Sequence, residues 1–149
     1  MPQPRDRATR TSDLLAALTA PAADAWVATA SPEAAPYLVP LSVAWVSDRI
    51  VIAVEGASRT ARNITASGVA RVGVGPTRDV ALIDAVLERS AGVDDDTELG
   101  AAYAAQADWD PRGLTGYVFL VLRPTRIQAW RESNELSGRV LMRDGEWLV

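Results

Sequence analysis

The fold is decided by residues 50–74, IVIAVEGASRTARNITASGVARVGV. The apolar run Ile50–Glu55 and the β-branched run Val69–Val74 are typical of two strands. Between them, Ser58 is a good N-cap for a short helix over Arg59–Ala66, and the glycine that follows is a typical helix stop. The segment therefore predicts a strand, a short capped helix and a second strand.

Upstream of this segment, two more apolar runs predict strands. Trp26–Ala30 is short, Tyr37–Val46 is longer, and a turn at Ser31-Pro32-Glu33 separates them. Together with Ile50–Glu55 they predict an antiparallel meander with tight connections. Before them, Thr11-Ser12-Asp13 predicts the start of a short amphipathic helix, and the polar, arginine-rich residues 1–10 are interpreted as a frayed tail.

Downstream, the pattern predicts further strands and one more helix. Val80–Leu87 predicts a strand, and the acidic residues before Thr97 predict a helix that reaches Ala107. Tyr117–Leu122 predicts a strand that continues past a bulge near Pro124. Ser133–Gly138 is irregular or a single helical turn, and Asp144-Gly145 indicates a terminal hairpin.

The order of elements predicts a mainly β protein with short helices, an α+β chain built as an antiparallel barrel. Strands occur in clusters without regular βαβ alternation, which argues against a doubly wound parallel sheet. The length of 149 residues indicates one domain, over residues 11–149.

Composition excludes several kinds of chemistry. The chain has no histidine, cysteine or lysine, so disulfides, thiolate nucleophiles, internal Schiff bases and the commonest metal ligands are absent. No metal site is predicted. The net charge of −4 argues against nucleic-acid binding. Without a long apolar run or a signal peptide, we expect a cytoplasmic protein that does not cross a membrane. A redox function would need a cofactor to supply the reactivity.

The start of the predicted helix carries an electrostatic conflict. Arg59 and Arg62 place two cations at the positive end of the helix dipole, where acids are more stable. A bound anion would resolve the conflict, because free backbone N–H groups and the hydroxyls of Ser58 and Thr60 lie beside two guanidinium groups. The hypothesis is a phosphate site. The alternative is a pair of solvated surface arginines.

Two other segments are candidate ligand contacts. Val39-Pro40-Leu41-Ser42 contains a proline inside a strand, which indicates either an ordinary edge strand or a backbone that bonds a heterocycle. Trp130-Arg131 ends the last long strand. Trp130 is a candidate cover for an aromatic ring, or else a residue of the core or of a dimer interface.

The order of these segments resembles that of the pyridoxamine 5′-phosphate oxidase-like split β-barrels. The resemblance runs from Trp26 to Trp130, through PYLVPL at 36–41, SRTARNI at 58–64, the segment 78–88 and RPTRIQAW at 123–130. It looks closest to the branch that includes deazaflavin-dependent reductases. Relatives often place a lysine near the phosphate, where this chain has arginine, and the full substrate pattern of the true oxidases is missing.

The resemblance implies a homodimer with two cofactor sites along its interface. The cofactor would be FMN or the deazaflavin coenzyme F420, and the function that of an oxidoreductase acting on a small organic substrate. Val39, Pro40, Leu41 and Ser42 would line the ring system. The residues implied to hold the phosphate are Ser58, Arg59, Thr60, Arg62 and Asn63, and Trp130 and Arg131 would come from the partner chain.

Two other functions stay open at this stage. The chain could bind the cofactor as a non-catalytic carrier or sensor, or it could be a dimeric interaction module without a cofactor. No catalytic residue is assigned. Solvent, Tyr37 or another tyrosine could supply a proton.

Overall fold

The computed structural model describes the whole chain, residues 1–149. It has three α-helices, one 3-10 turn and nine strands. In chain order these are α1 (Arg7–Thr19), β1 (Asp24–Ala30), β2 (Pro36–Ser42), β3 (Ala44–Val46), β4 (Arg49–Glu55), α2 (Arg59–Ser67), β5 (Val69–Val74), β6 (Val80–Gly92), α3 (Thr97–Gln106), β7 (Tyr117–Trp130), the 3-10 turn (Ser133–Glu135), β8 (Val140–Arg143) and β9 (Glu146–Trp147).

The nine strands form one antiparallel sheet in the order β2-β1-β5-β6-β7-β4-β3, with β8 added to β7 and β9 added to β8. The sheet curls, so that β2 at one end comes into contact with β4 near the other end. The expectation of a mainly β, antiparallel architecture with short helices is confirmed. No helix is both long and apolar enough to span a bilayer.

Two apolar clusters stabilise the sheet. The larger one fills the inside of the curl and includes Val27, Ile52 and Ile83, all fully buried. The smaller one lies on the opposite face of β4 and β7, where α3 packs Tyr103 against Phe119. Strands β4 and β7 are therefore buried on both faces, and this explains their nearly uninterrupted apolar sequences.

The prediction of a frayed tail over residues 1–10 is wrong. Helix α1 begins at Arg7, and the carboxylate of Asp6 caps it by accepting a hydrogen bond from the N–H of Thr9. Arg10 is buried, and its guanidinium donates to the main-chain oxygens of Ala129 and Glu135. The polar residues that suggested a tail bind the far end of the chain.

The predicted meander is also wrong in its middle. The segment Tyr37–Val46 is divided at Val43 into β2, which pairs with β1, and β3, which pairs with β4. The N–H of the buried Val43 donates to the carbonyl of Ala23, so the chain leaves one side of the barrel there and joins the other. An unbroken apolar run contained no signal for this change of partner.

Other local predictions are confirmed. Ser58 and Gly68 cap α2 at its two ends, and Gly68 has the positive φ of 76° that a glycine adopts most easily. An extra residue, Thr125, forms a bulge in β7 beside Pro124. Asp144 and Gly145 form the hairpin turn with φ of 52° and 79°. Strand β6 runs beyond Leu87 to Gly92, because a second bulge lets it follow the long β7.

Candidate functional site

The N-terminus of α2 has unused hydrogen-bond donors. The hydroxyl of Ser58 accepts a hydrogen bond from the N–H of Ala61, and the first helical bond joins the N–H of Arg62 to the carbonyl of Ser58. The N–H groups of Arg59 and Thr60 donate to no atom of the chain. Such free amides at the positive end of a helix dipole favour an anion.

One face of α2 lines a cavity of about 420 Å³. The helix contributes Arg59, Arg62, Asn63 and Ala66, which are spaced by three or four residues and so share this face. The opposite wall is the turn between β1 and β2, residues 31–36. The structure therefore brings together both arginines of the sequence hypothesis and a turn that the sequence analysis did not connect with them.

The two arginines in this cavity have no carboxylate partner, whereas seven of the chain's fifteen arginines form ion pairs. The guanidinium groups of Arg59 and Arg62 form neither an ion pair nor a hydrogen bond, and the only acidic residue in the lining is Glu33. The arginines that do form ion pairs are Arg5, Arg49, Arg71, Arg78, Arg89, Arg112 and Arg131. The lining thus has an excess of positive charge that no group of this chain neutralises.

Tyr37 positions one of the two guanidinium groups. Its ring projects from β2, and the guanidinium carbon of Arg59 lies 5.3 Å from the ring centroid. A cation over an aromatic face is attracted by the ring quadrupole. Because β2 adjoins the turn that forms the opposite wall, this contact connects the two walls of the cavity.

Asn63 fixes the helix against the barrel. Its side-chain Nδ2 donates to the hydroxyl of Thr29 in β1 over 3.0 Å, and both side chains are buried. Thr29 is not among the predicted site residues, and the sequence around it does not indicate that it accepts a hydrogen bond from Asn63. Asn63 therefore lines the cavity and also positions α2, which carries the two arginines.

Thr60 does not fit the role predicted for it. Its side chain is buried, only 4% exposed, and it is absent from the cavity lining. Helix periodicity explains this, since a residue between Arg59 and Arg62 points to another side of α2. What Thr60 can offer a ligand is its backbone N–H. The hydroxyl of Ser58 is engaged in capping and retains only its own proton for donation.

The segment Val39–Ser42 lies in β2 outside this cavity. As the proline indicated, β2 is an edge strand that pairs only with β1, so its other edge has free backbone groups. Val39 and Leu41 are half-buried toward the interior, whereas Pro40 faces outward opposite Trp26. The strand begins at Pro36, which does line the cavity.

Trp130 and Arg131 lie apart from the cavity within one chain. The guanidinium of Arg139 lies 5.8 Å from the ring centroid of Trp130. The Nε of Arg131 donates to Asp79 over 3.1 Å, so this guanidinium is already paired. The structure does not join these two residues to Arg59 and Arg62.

Comparison with solved structures finds the same fold in proteins of low sequence identity. An F420 reductase is 18% identical with a TM-score of 0.62, over 75% of this chain and 93% of the reductase. A pyridoxamine 5′-phosphate oxidase-related, FMN-binding protein from Nostoc punctiforme is 14% identical with a TM-score of 0.53, over 83% of this chain and 78% of that protein.

A third neighbour binds a different cofactor. A haem-binding protein from Mycobacterium smegmatis is 19% identical with a TM-score of 0.66, over 95% of this chain and 59% of that protein. No protein-family model matches the sequence, and no curated protein matches it. The fold is therefore shared by proteins with different cofactors, and the site of this chain has to decide among them.

Proposed function

Since the chain has the split β-barrel fold of the pyridoxamine 5′-phosphate oxidase-like superfamily, we propose that it is an oxidoreductase that binds a phosphate-bearing flavin or deazaflavin. The observation that carries this proposal is the cavity beside α2, where two guanidinium groups without a carboxylate partner face a turn of the chain. Arginine suits phosphate because its planar fork donates two parallel hydrogen bonds.

The phosphate would be held by groups of two kinds. Arg59 and Arg62 supply guanidinium donors from the side of the helix, and the free N–H groups of Arg59 and Thr60 supply backbone donors at its end. Tyr37 and Asn63 keep the helix and its arginines in place. The ring system would lie along Val39–Ser42, where the unpaired edge of β2 offers backbone donors and acceptors to a heterocycle.

A bound flavin or deazaflavin would supply the capacity to accept and donate hydride. The protein has no histidine, cysteine or lysine, so its own contribution is binding, orientation and electrostatics. Of the three tyrosines, Tyr37 is the one whose ring contacts a residue of this cavity, because it underlies Arg59, whereas Tyr103 and Tyr117 pack in the smaller apolar cluster. The hydroxyl of Tyr37 is our candidate for a proton donor at the site.

The sequence disfavours haem as the resident cofactor, although one structural neighbour binds it. Protein haem iron is usually held by histidine or cysteine, with methionine or tyrosine as the other known ligands. This chain lacks the first two types entirely. Of its two methionines, Met142 is buried in the barrel core and Met1 is exposed, so Met1 and the tyrosines are the ligands that would remain.

A homodimer is part of the proposal. Trp26 is 52% exposed and Leu38 is 58% exposed, and both lie on the outer face of β1 and β2. Exposed large apolar side chains on neighbouring strands favour contact with another protein surface. Because this face adjoins Val39–Ser42, a second copy there would cover the ring-binding strand and could bring its own Trp130 to it.

The test is titration of the purified protein with FMN, F420 and haem in parallel, following the fluorescence of its five tryptophans. We expect saturable quenching by FMN or F420 at micromolar concentration, and loss of affinity in an Arg62→Ala variant. A failure of both flavin-type cofactors to bind would refute the proposal and favour the interaction module. If a cofactor binds but the protein shows no turnover with a reductant and a panel of acceptors, the protein would instead be a carrier or sensor.

A further inference from the structure

The wall of the cavity that faces α2 is a turn held by its own hydrogen bonds. The N–H of Ser31 donates to the carbonyl of Ala35 over 3.0 Å, and the N–H of Ala35 donates to the hydroxyl of Ser31 over 3.1 Å. The N–H of Ala34 donates to the carbonyl of Ser31 over 2.9 Å. These bonds enclose Glu33, so its backbone cannot move away from the cavity without breaking them.

Glu33 places a negative charge in a cavity that otherwise attracts anions. It shares the lining with Arg59 and Arg62, and its carboxylate forms neither an ion pair nor a hydrogen bond. A wall built only for the tightest binding of phosphate would contain no acid, because like charges repel each other. Such a local conflict is typical of a residue with a functional role.

The charges of the lining sum to one positive charge, because one glutamate offsets one of the two arginines and no other charged side chain lines the cavity. The attraction of a phosphate to this lining is proportional to the charge of the phosphate. The cost of removing the phosphate from water rises with the square of that charge. A phosphate with a single negative charge therefore suits the cavity better than a phosphate with two.

The two kinds of phosphate ester differ in this charge. A phosphomonoester carries a charge of about −1.5 to −2 at pH 7, whereas a phosphodiester has no second ionisable oxygen and carries a single charge. FMN ends in a monoester, and F420 carries its phosphate as a diester whose second arm continues into a tail. Glu33, Arg59 and Arg62 are exposed, so the cavity is open to solvent and leaves room for a second arm.

We infer that Glu33 determines which phosphate ester this cavity accepts, and that it selects a diester over a monoester. This inference rests on the proposed function and assigns to it the deazaflavin cofactor in preference to FMN. The repulsion by Glu33 is proportional to the charge of the ligand, so its effect on the free energy of binding is twice as large for a dianion as for a monoanion. Expressed as a fold-change in affinity, the effect on a dianion is the square of the effect on a monoanion.

The probes for the test are FMN and its monomethyl ester, which share one ring system and differ in phosphate charge, with riboflavin as the uncharged analogue. Each is titrated into the full-length protein at about pH 8, where the monoester is a dianion, and tryptophan fluorescence is followed. We expect the wild type to bind the methyl ester more tightly than FMN. Glu33→Gln should raise the affinity for the methyl ester roughly threefold and that for FMN roughly tenfold, the scale of one unit charge acting across several ångströms of water, and leave riboflavin unchanged.

Glu55→Gln is the matched control, because Glu55 is exposed at the end of β4 and does not line the cavity. It removes the same charge from the protein and should leave all three affinities unchanged. Arg62→Ala should weaken both esters and leave riboflavin unchanged, which places the phosphate in this cavity.

Equal fold-changes for the two esters in Glu33→Gln, or a wild type that prefers FMN, would overturn the inference and leave the proposed function standing. So would an equally large effect of Glu55→Gln, because the overall charge of the protein would then be responsible. If neither ester binds the wild type at millimolar concentration, the proposed function fails and the inference fails with it.

Discussion

Arg5 and Glu135 lie 130 residues apart and form a buried ion pair between the two ends of the chain. The Nε of Arg5 donates to Oε1 of Glu135 over 3.0 Å, and Nη2 donates to Oε2 over 2.8 Å. Glu135 is 2% exposed, and its carboxylate also accepts a hydrogen bond from the N–H of Arg131. The pair therefore fixes the entry to α1 against the segment that follows β7.

Replacing Arg5 by alanine should destabilise the protein by roughly 2–4 kcal/mol, because Glu135 would remain buried without its counter-charge. Urea unfolding measures this as a change in the free energy of unfolding. Arg78→Ala is the matched control, since Arg78 pairs with Glu132 at an exposed position and should contribute at most about 1 kcal/mol. If the two variants lose the same free energy of unfolding, burial adds nothing to the contribution of the Arg5–Glu135 pair.

The carboxylate of Glu135 should also make the stability of the folded protein depend on pH in the acid range. The guanidinium of Arg5, with help from two backbone N–H groups, lowers the pKa of Glu135 from 4.5 to about 2. A carboxylate whose pKa is lower in the folded protein stabilises it above the unfolded pKa, and this stability is lost as the pH falls toward the folded pKa. The free energy of unfolding should therefore fall between pH 4.5 and about 2.

Glu135→Gln isolates this contribution from those of the exposed carboxylates. Asp6, Asp96 and Asp110 also have a lowered pKa through hydrogen bonds, and they titrate in the variant as in the wild type. The difference in unfolding free energy between wild type and variant should shrink as the pH falls through this window. If this difference in unfolding free energy does not change with pH, Glu135 stabilises the protein through packing and not through its charge.

Local signals were sufficient for the parts of the fold that depend on neighbours in sequence. Ser58 and Gly68 mark the two ends of α2, Pro124 marks the bulge in β7, and Asp144-Gly145 marks the hairpin. Each of these predictions needs only a few residues, because capping, turn and proline preferences act over short distances.

Long-range pairings were out of reach of the same reasoning. Nothing near Arg5 indicates Glu135, so the arginine-rich start of the chain was predicted as a tail. In the site, Arg59 and Arg62 were found because they violate a local rule, whereas Thr29 was missed because its partner Asn63 lies on another element. Trp130 and Arg131 remain a prediction for a partner chain.

The phosphate hypothesis predicts a specific loss of affinity. Of FMN and F420, one should bind the wild type more tightly. Arg62→Ala should weaken the binding of that cofactor by roughly 1–3 kcal/mol, the scale of a lost charge-assisted hydrogen bond. Arg143→Ala removes the same charge from a surface outside the cavity and should leave the dissociation constant unchanged. Fluorescence titration at two salt concentrations checks both variants. A loss shared by both would indicate a general electrostatic effect and not this site.

Two substitutions of Tyr37 distinguish its positioning of Arg59 from proton donation by its hydroxyl. Tyr37→Ala should weaken cofactor binding by about 0.5–1 kcal/mol, since Arg59 would lose the ring beneath it. Tyr37→Phe keeps the ring and should retain the affinity, whereas turnover should fall only if the hydroxyl donates a proton. Titration together with steady-state kinetics distinguishes the two roles. Full affinity in Tyr37→Ala would exclude the positioning role.

The exposed apolar face of β1 and β2 predicts where two copies meet. Trp26→Glu or Leu38→Glu would bring a charge into a buried interface, and either should shift the protein from dimer to monomer in analytical ultracentrifugation. Leu114→Glu is the control, because Leu114 is also exposed but lies in the loop before β7. Since the proposed ring-binding strand adjoins this face, the monomeric variants should lose cofactor affinity while the control keeps it. A dimer that survives both substitutions would place the interface, and the partner's contribution to the site, on another surface.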